Sequence, residues 1–236
     1  MKILMQILIK LLGIVNKMNK GKFITFEGGE GSGKSTQIIL LCDYLEKNNV
    51  SFILTREPGG TPVSEEIRNI LLNPEFKGMN YVTEVLLFLA SRKQHIDEKI
   101  NPSLEKGKII LSDRYHDSTI AYQSGARDLN NTPFGKIISN TYDFFDCVPD
   151  RTYFFDIPAK EGLIRVKKRR DNDKNLELES RIDDEKLEFH QNVRKAYLKL
   201  AEQEPDRIVV VDGTKLVKEI HEIIKKDIIK YLQINL

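Results

Sequence analysis

The residues Gly28-Gly29-Glu30-Gly31-Ser32-Gly33-Lys34-Ser35 satisfy the spacing G-x-x-x-x-G-K-[ST] at every fixed position. A β-rich run, Phe23 to Glu27, precedes them, and an amphipathic stretch from about Lys34 to Lys47 follows. That setting turns backbone N–H groups and the positive end of a helix toward one spot, an anion site suited to polyphosphate. Within it Lys34 offers a mobile charge for the outer phosphates, the Ser35 hydroxyl suits Mg²⁺, and Thr36 extends the set. Glu30 is the odd member, because a carboxylate among phosphates must face a basic partner or the acceptor. Kinases, GTPase switches and motor ATPases all use this loop, so it defines a nucleotide-binding site and leaves the reaction open.

Other side chains suggest a second ligand. Phe88 and Arg92 stand four residues apart, on one face of a helix, which brings a stacking ring beside a guanidinium. Arginine only donates hydrogen bonds, so it favours a base edge with a carbonyl acceptor. Arg56, Arg68 and Arg114 offer forked donors for a dianionic phosphate. Taken singly, such arginines are usually exposed ion pairs, and Phe88 among Val85, Leu86 and Leu89 reads as core. Arg114 differs because it follows a strongly apolar strand. Asp113, at the end of that strand, falls near Ser35 as a second oxygen ligand for Mg²⁺. Arg165-Val166-Lys167-Lys168-Arg169-Arg170 is the densest basic cluster. It has no interleaved aromatics, so it reads as a solvated helix end and not as a nucleic-acid surface.

These residues need a scaffold, and five β-rich runs supply it: Phe23 to Glu27, Val50 to Thr55, Lys108 to Asp113, Thr152 to Asp156 and Arg207 to Asp212. Their alternation with helical stretches predicts a parallel sheet covered on both faces. Ligands of such sheets bind beyond the carboxyl ends of the strands, which brings Glu27, Thr55, Asp113 and Asp156 to one cleft. Helices are predicted from Lys34 to Lys47 with Ile38, Leu41, Cys42 and Leu45 inward, and from a Thr61-Pro62 cap with Val63, Ile67, Ile70 and Leu71 buried. Further helices fit Val82 to Lys106, Asp117 to Arg127, Phe134 to Phe145, Ala159 to Arg170, Asp183 to Glu202 and Lys215 to Leu232.

The length of 236 residues and 40% apolar content suit one globular α/β domain, and a net charge of +2 is too small to imply a nucleic-acid partner. Cys42 and Cys147 have no metal-ligand spacing and fit a reducing cytoplasm. Residues 1–20 carry an apolar stretch interrupted by Gln6 and Lys10, too short to span a bilayer and lacking a good cleavage site. They are expected to form an extension outside the fold, with Met18 as an alternative start, and to give no stable membrane association.

Four further segments resemble the bacterial thymidylate kinase family: Phe26-Glu27-Gly28 entering the loop, Thr55-Arg56-Glu57-Pro58-Gly59-Gly60, Phe88-Leu89-Ala90-Ser91-Arg92, and Asp113-Arg114-Tyr115 continuing to Ser118-Thr119 and Tyr122-Gln123. The resemblance implies a P-loop NTP hydrolase and nucleoside-monophosphate kinase fold over 21–236, with a five-stranded parallel sheet and a mobile lid at about 165–182. It implies ATP with Mg²⁺ as donor, dTMP as acceptor, dTDP as product and a homodimer. Glu57, Arg68, Phe88, Arg92, Arg114, Thr119, Tyr122 and Gln123 become expected acceptor-site residues, with Arg56 beside them and Tyr122 beneath the sugar, favouring deoxyribose. The family also carries an acid matching Glu30. The phosphate loop lacks an arginine, so Arg169, Arg170 and Arg181 are the lid candidates for catalysis, Arg169 first. Two alternatives stay open: a kinase for UMP or dUMP, and a P-loop switch that hydrolyses nucleotide slowly.

Overall fold

The computed structural model describes residues 21–172, 182 and 184–233. Strands β1 (Lys22–Gly28), β2 (Phe52–Arg56), β3 (Ile109–Asp113), β4 (Arg151–Asp156) and β5 (Ile208–Asp212) pair in the order β2-β3-β1-β4-β5, all parallel. The helices are α1 (Lys34–Lys47), α2 (Pro62–Leu72), α3 (Tyr81–His95), α4 (Asn101–Glu105), α5 (His116–Thr119), α6 (Pro133–Ser139), α7 (Thr141–Phe145), α8 (Ala159–Asn172), α9 (Leu187–Gln203) and α10 (Val217–Leu232).

Strand side chains alternate between two layers. Ile24, Phe26, Leu111, Tyr153, Phe155 and Val211 pack with Leu41 and Leu45 of α1 and with Ile220, Ile224 and Ile228 of α10. On the opposite face Phe23 and Ile110 meet Ile96, Ile100 and Leu104, while Phe154 meets Val193 and Tyr197 of α9. The register sets Asp113 opposite both Phe26 and Arg56, so β2 and β3 end together while β1 runs on to Gly28. Strand order reverses at β1, where open sheets of this type form their ligand crevice.

Several elements depart from the periodicity. The helix expected from Val82 to Lys106 widens into a π turn at Ile96–Ile100 before continuing as α4. Pro102 has no N–H and its ring crowds the carbonyl four residues back, which disfavours an unbroken α-helix there. The Asp117 to Arg127 stretch likewise becomes α5 and a π segment at Ile120–Ala126, closed by Arg127 N–H on the Tyr122 carbonyl at 2.9 Å. Phe134 to Phe145 divides into α6 and α7 at Asn140. Helix α9 begins at Leu187; Asp183 lies outside the described residues, as do residues 1–20 and Arg181. In α2, Leu71 is buried, but Val63 and Ile70 are exposed because Ser64 occupies the inward face, donating to the Ser91 carbonyl at 2.8 Å. Thr61 stands at the N-cap position, yet its hydroxyl bonds to Ser64 Oγ and leaves the helix N–H groups uncapped by a side chain. The helix expected from Ala159 to Arg170 is present as α8, so Arg165 to Arg170, also expected as the start of the lid, are helical.

Candidate active site

The loop after β1 turns sharply enough that Gly31 adopts φ +67°, and a Cβ there would lie 2.2 Å from the Gly162 carbonyl of α8. Only glycine permits both the conformation and the approach. Lys34 at the start of α1 folds back over the loop, donating to the carbonyls of Gly28 at 3.0 Å and Gly29 at 3.2 Å and to Ser32 Oγ at 3.4 Å. Burial, reinforced by the Arg114 charge, draws its ammonium below the ordinary lysine value against the pull of Glu30 and Asp113. Added anionic phosphate would restore the charged form. A cavity lies above this loop, with Ser35, Thr36 and Asp113 on one side and Arg165 and Arg169 of α8 on the other. Among the described residues, Asp113 Oδ1 is buried with no hydrogen-bond partner, an acceptor-only oxygen of a residue that lines the same cavity as Ser35. Hard oxygen donors of this kind suit Mg²⁺.

A second cavity opens between α2, α3, α5 and the π segment. Arg56, Glu57, Arg68, Phe88, Arg92, Arg114, Thr119, Tyr122 and Gln123 all line it. Arg68 Nη1 donates to the Pro58 carbonyl at 2.9 Å, and the half-exposed Arg56 pairs with Glu65 at 2.9 Å. Phe88 and Arg92 share the α3 face that their spacing predicts. Arg92 is held more tightly than its sequence position suggests: Nε donates to Glu57 Oε2 at 2.8 Å, Nη2 to Thr119 Oγ1 at 3.0 Å and Nη1 to His116 Nδ1 at 3.3 Å. Burial and the Arg92 and Arg207 charges hold His116 well below the ordinary histidine range, so its ring is neutral and Nδ1 has a lone pair to offer. Gln123 is oriented by Glu84, which accepts from its Nε2 at 2.8 Å.

Glu30, Asp113, Arg114 and Arg169 line both cavities and form the partition between them. Arg114 has φ +68°, a left-handed backbone costing a non-glycine residue about 1–2 kcal/mol. Glu27 offsets that strain by accepting from the Tyr115 N–H at 2.7 Å, from Ser118 Oγ at 2.6 Å and from Tyr197 at 2.7 Å, which fastens the turn. Arg114 Nη2 reaches Glu30 Oε1 at 2.6 Å, Nη1 reaches the Gly28 carbonyl at 3.0 Å, and the guanidinium lies over the Tyr122 ring. Tyr122 also donates to Glu30, at 2.8 Å. Burial pushes the Glu30 carboxyl upward, but Arg114 and Lys34 outweigh it and hold it at about 2. Glu30 is therefore anionic and faces a basic partner, which resolves the oddity of an acid in this loop. Arg170, by contrast, pairs with Asp184 at 3.6 Å and lines neither cavity.

Two neighbouring cavities that share basic lining residues at the carboxyl end of a parallel sheet are the arrangement of a P-loop phosphotransferase, here on the nucleoside-monophosphate kinase fold. Residues 26–224 match the family described as thymidylate kinase, and the chain belongs to that family. It is 45% identical over 201 residues to a thymidylate kinase of Geobacillus sp. (strain WCH70), covering 85% of this chain and 92% of that one. To a thymidylate kinase of Clostridium novyi (strain NT) it is 41% identical over 208 residues, covering 88% and 98%. The crystal structure of thymidylate kinase from Ehrlichia chaffeensis superposes with a TM-score of 0.66 at 33% identity, covering 91% of this chain and 99% of that one.

Some supporting residues escape sequence reading. Glu27 is visible as a strand-terminal acid in the segment entering the loop, with no sign of its partners, and Tyr197 only as part of the apolar stripe of α9. Arg207 makes a bidentate pair with Asp117 at 2.7 and 2.9 Å, anchoring α5, which lines the second cavity. The acid of that pair follows Tyr115-His116, but nothing in its neighbourhood names a partner 90 residues away.

Proposed function

We propose that the chain carries out the family's reaction, transfer of the γ-phosphoryl group of ATP to dTMP, giving dTDP for the dTTP supply, with ATP in the loop cavity and dTMP in the neighbouring one. The shared residues Glu30, Asp113, Arg114 and Arg169 are the observation that carries this reading, because lining both cavities they set a donor and an acceptor phosphate against the same charged groups. In this assignment Arg68 and Arg114 grip the acceptor phosphate, with Arg56 at the rim, while Phe88 stacks on the base. Arg92 faces its carbonyl edge, with Thr119 and Gln123 beside it and Tyr122 under the sugar.

The acceptor phosphate is already an anion, so no general base and no covalent intermediate are required. Lys34 and Arg114, joined by Arg169 from α8, offset the charge that builds on the transferring group. Ser35 and Asp113 are the residues to hold Mg²⁺, which neutralises phosphate charge when bound. Val63 and Ile70 of α2 and Leu86 of α3, 52%, 42% and 50% exposed, support a homodimer in which a second copy covers this apolar face. The buried free thiols of Cys42 and Cys147 support a reducing, cytoplasmic setting. Among the described residues, no helix is long and apolar enough to cross a membrane.

The test is a coupled assay of ADP release across the nucleoside monophosphates. The highest kcat/KM is expected for dTMP; faster turnover of AMP or GMP would overturn the assignment, and a preference for dUMP or UMP would move it to that acceptor.

A further inference from the structure

His95, the last residue of α3, has no place in the acceptor cavity, yet it is fully buried directly behind it. Its Nδ1 lies 3.0 Å from Glu57 Oε1 and its Nε2 lies 2.7 Å from Thr55 Oγ1. A carboxylate oxygen only accepts, so Nδ1 carries a proton and donates it to Glu57, while Nε2 is paired with the Thr55 hydroxyl. The other oxygen of the same carboxylate receives Arg92 Nε. Glu57 is thus fixed from two sides, by the group that faces the cavity and by one that does not.

The surroundings leave His95 little freedom. A Cβ on Gly60, which has φ +90°, would lie 2.6 Å from His95 Nε2 and 2.7 Å from Thr55 Oγ1, so the absence of a side chain at Gly60 makes room for the pair. The loop bearing Glu57 is also tied to α3 through Gly59 N–H on Ser91 Oγ at 3.3 Å, and its Pro58 carbonyl receives Arg68. One short loop therefore carries the anchor of the base-side arginine and an anchor of the phosphate-side arginine.

We propose that His95 is a positioning residue for base recognition: by donating through Nδ1 to Glu57 it sets the carboxylate that aims the Arg92 guanidinium at the acceptor's base. This rests on the reading of the cavity as the dTMP site. A planar guanidinium held by Glu57, Thr119 and His116 keeps a fixed orientation only while the Glu57 carboxylate keeps its own.

The test uses the full chain with H95N and H95Q. The asparagine amide nitrogen takes the place of Nδ1 and can still donate to Glu57; the glutamine amide reaches toward Thr55 and cannot serve both. H95Q is expected to raise KM for dTMP about tenfold, the size of a lost charge-assisted hydrogen bond, with kcat and KM for ATP within about twofold of wild type. H95N should restore KM for dTMP to within about threefold of wild type. Equal loss in the two variants, an H95Q protein that folds with unchanged KM for dTMP, or a parallel rise in KM for ATP would each overturn the proposal. If H95Q does not fold, H95N decides alone, since a KM for dTMP raised as far as about tenfold in that protein contradicts the donor role. Failure of the underlying reading looks different: the wild-type chain itself would show no preference for dTMP.

Discussion

Replacing Arg92 by methionine separates what this residue does for the fold from what it does for the ligand. Arg92 and Glu57 are 2% and 4% exposed and meet at 2.8 Å, so the substitution leaves a carboxylate buried with His95 as its remaining side-chain partner. Breaking a buried ion pair from one side costs about 3–5 kcal/mol. Against an ordinary domain stability of about 5–15 kcal/mol, that loss moves the urea midpoint far down. Adding Glu57→Gln removes the stranded charge, so R92M/E57Q should regain about 2 kcal/mol or more over R92M alone, a coupling a double-mutant cycle measures directly. Binding should not follow stability. The guanidinium is absent from both proteins, so KM for dTMP should stay raised about 10- to 100-fold in each, the value of a hydrogen bond from a charged donor. Urea titrations and steady-state kinetics on the four proteins give both quantities. An R92M protein within about 1 kcal/mol of wild type, or a double variant no more stable than R92M, would refute the reasoning.

Lys34→Ala should lower kcat by at least about 10²–10³-fold while circular dichroism and the unfolding midpoint stay near wild type; near-normal turnover would remove the loop from the chemistry. Arg169→Ala should lower kcat by a similar factor, at least about 10²-fold, and Arg170→Ala by far less, because Arg169 alone of the two lines the partition; equal kinetic losses would reverse that ranking. Asp113→Asn should shift the Mg²⁺ concentration for half-maximal activity upward about tenfold, and an unchanged titration would move the metal elsewhere. Burial, with the Asp117 charge, pushes the Glu27 carboxyl from 4.5 up to about 7, so its neutral form stabilises the fold fully below pH 4.5 and that contribution is lost as pH rises through about 7. Glu27→Gln, uncharged throughout, should flatten the fall in unfolding free energy across that window, and parallel urea titrations at stepped pH would contradict the assignment.

What the sequence reveals here is what lies close along the chain. The loop from Gly28 to Ser35 is contiguous, and Phe88 and Arg92 are four residues apart on one helix, so spacing alone brings each set together. The five strands follow from apolar runs too short for helices. What stays hidden depends on packing between distant elements. Glu57 looks like a ligand-binding acid from its motif, yet its carboxylate is engaged by Arg92, 35 residues on, and by His95. Glu30 looks out of place until Arg114, 84 residues on, arrives beside it. The π segments are invisible to apolar periodicity because a wider turn keeps the same faces roughly inward while shifting side chains such as Tyr122 and Gln123 along the helix. The exposed stripe of Val63 and Ile70 misled for a related reason: apolar spacing marks a face that packs, and it cannot say against which partner.

Phosphoryl transfer from ATP in the loop cavity to dTMP in its neighbour is the step most directly open to measurement. ATP carrying a radiolabelled γ-phosphoryl group, incubated with unlabelled dTMP, Mg²⁺ and the protein, should place the label in the β-phosphate of dTDP, with one ADP formed for each dTDP and no release of free phosphate. Label appearing as inorganic phosphate without dTDP would contradict it and leave a nucleotide-hydrolysing switch in its place.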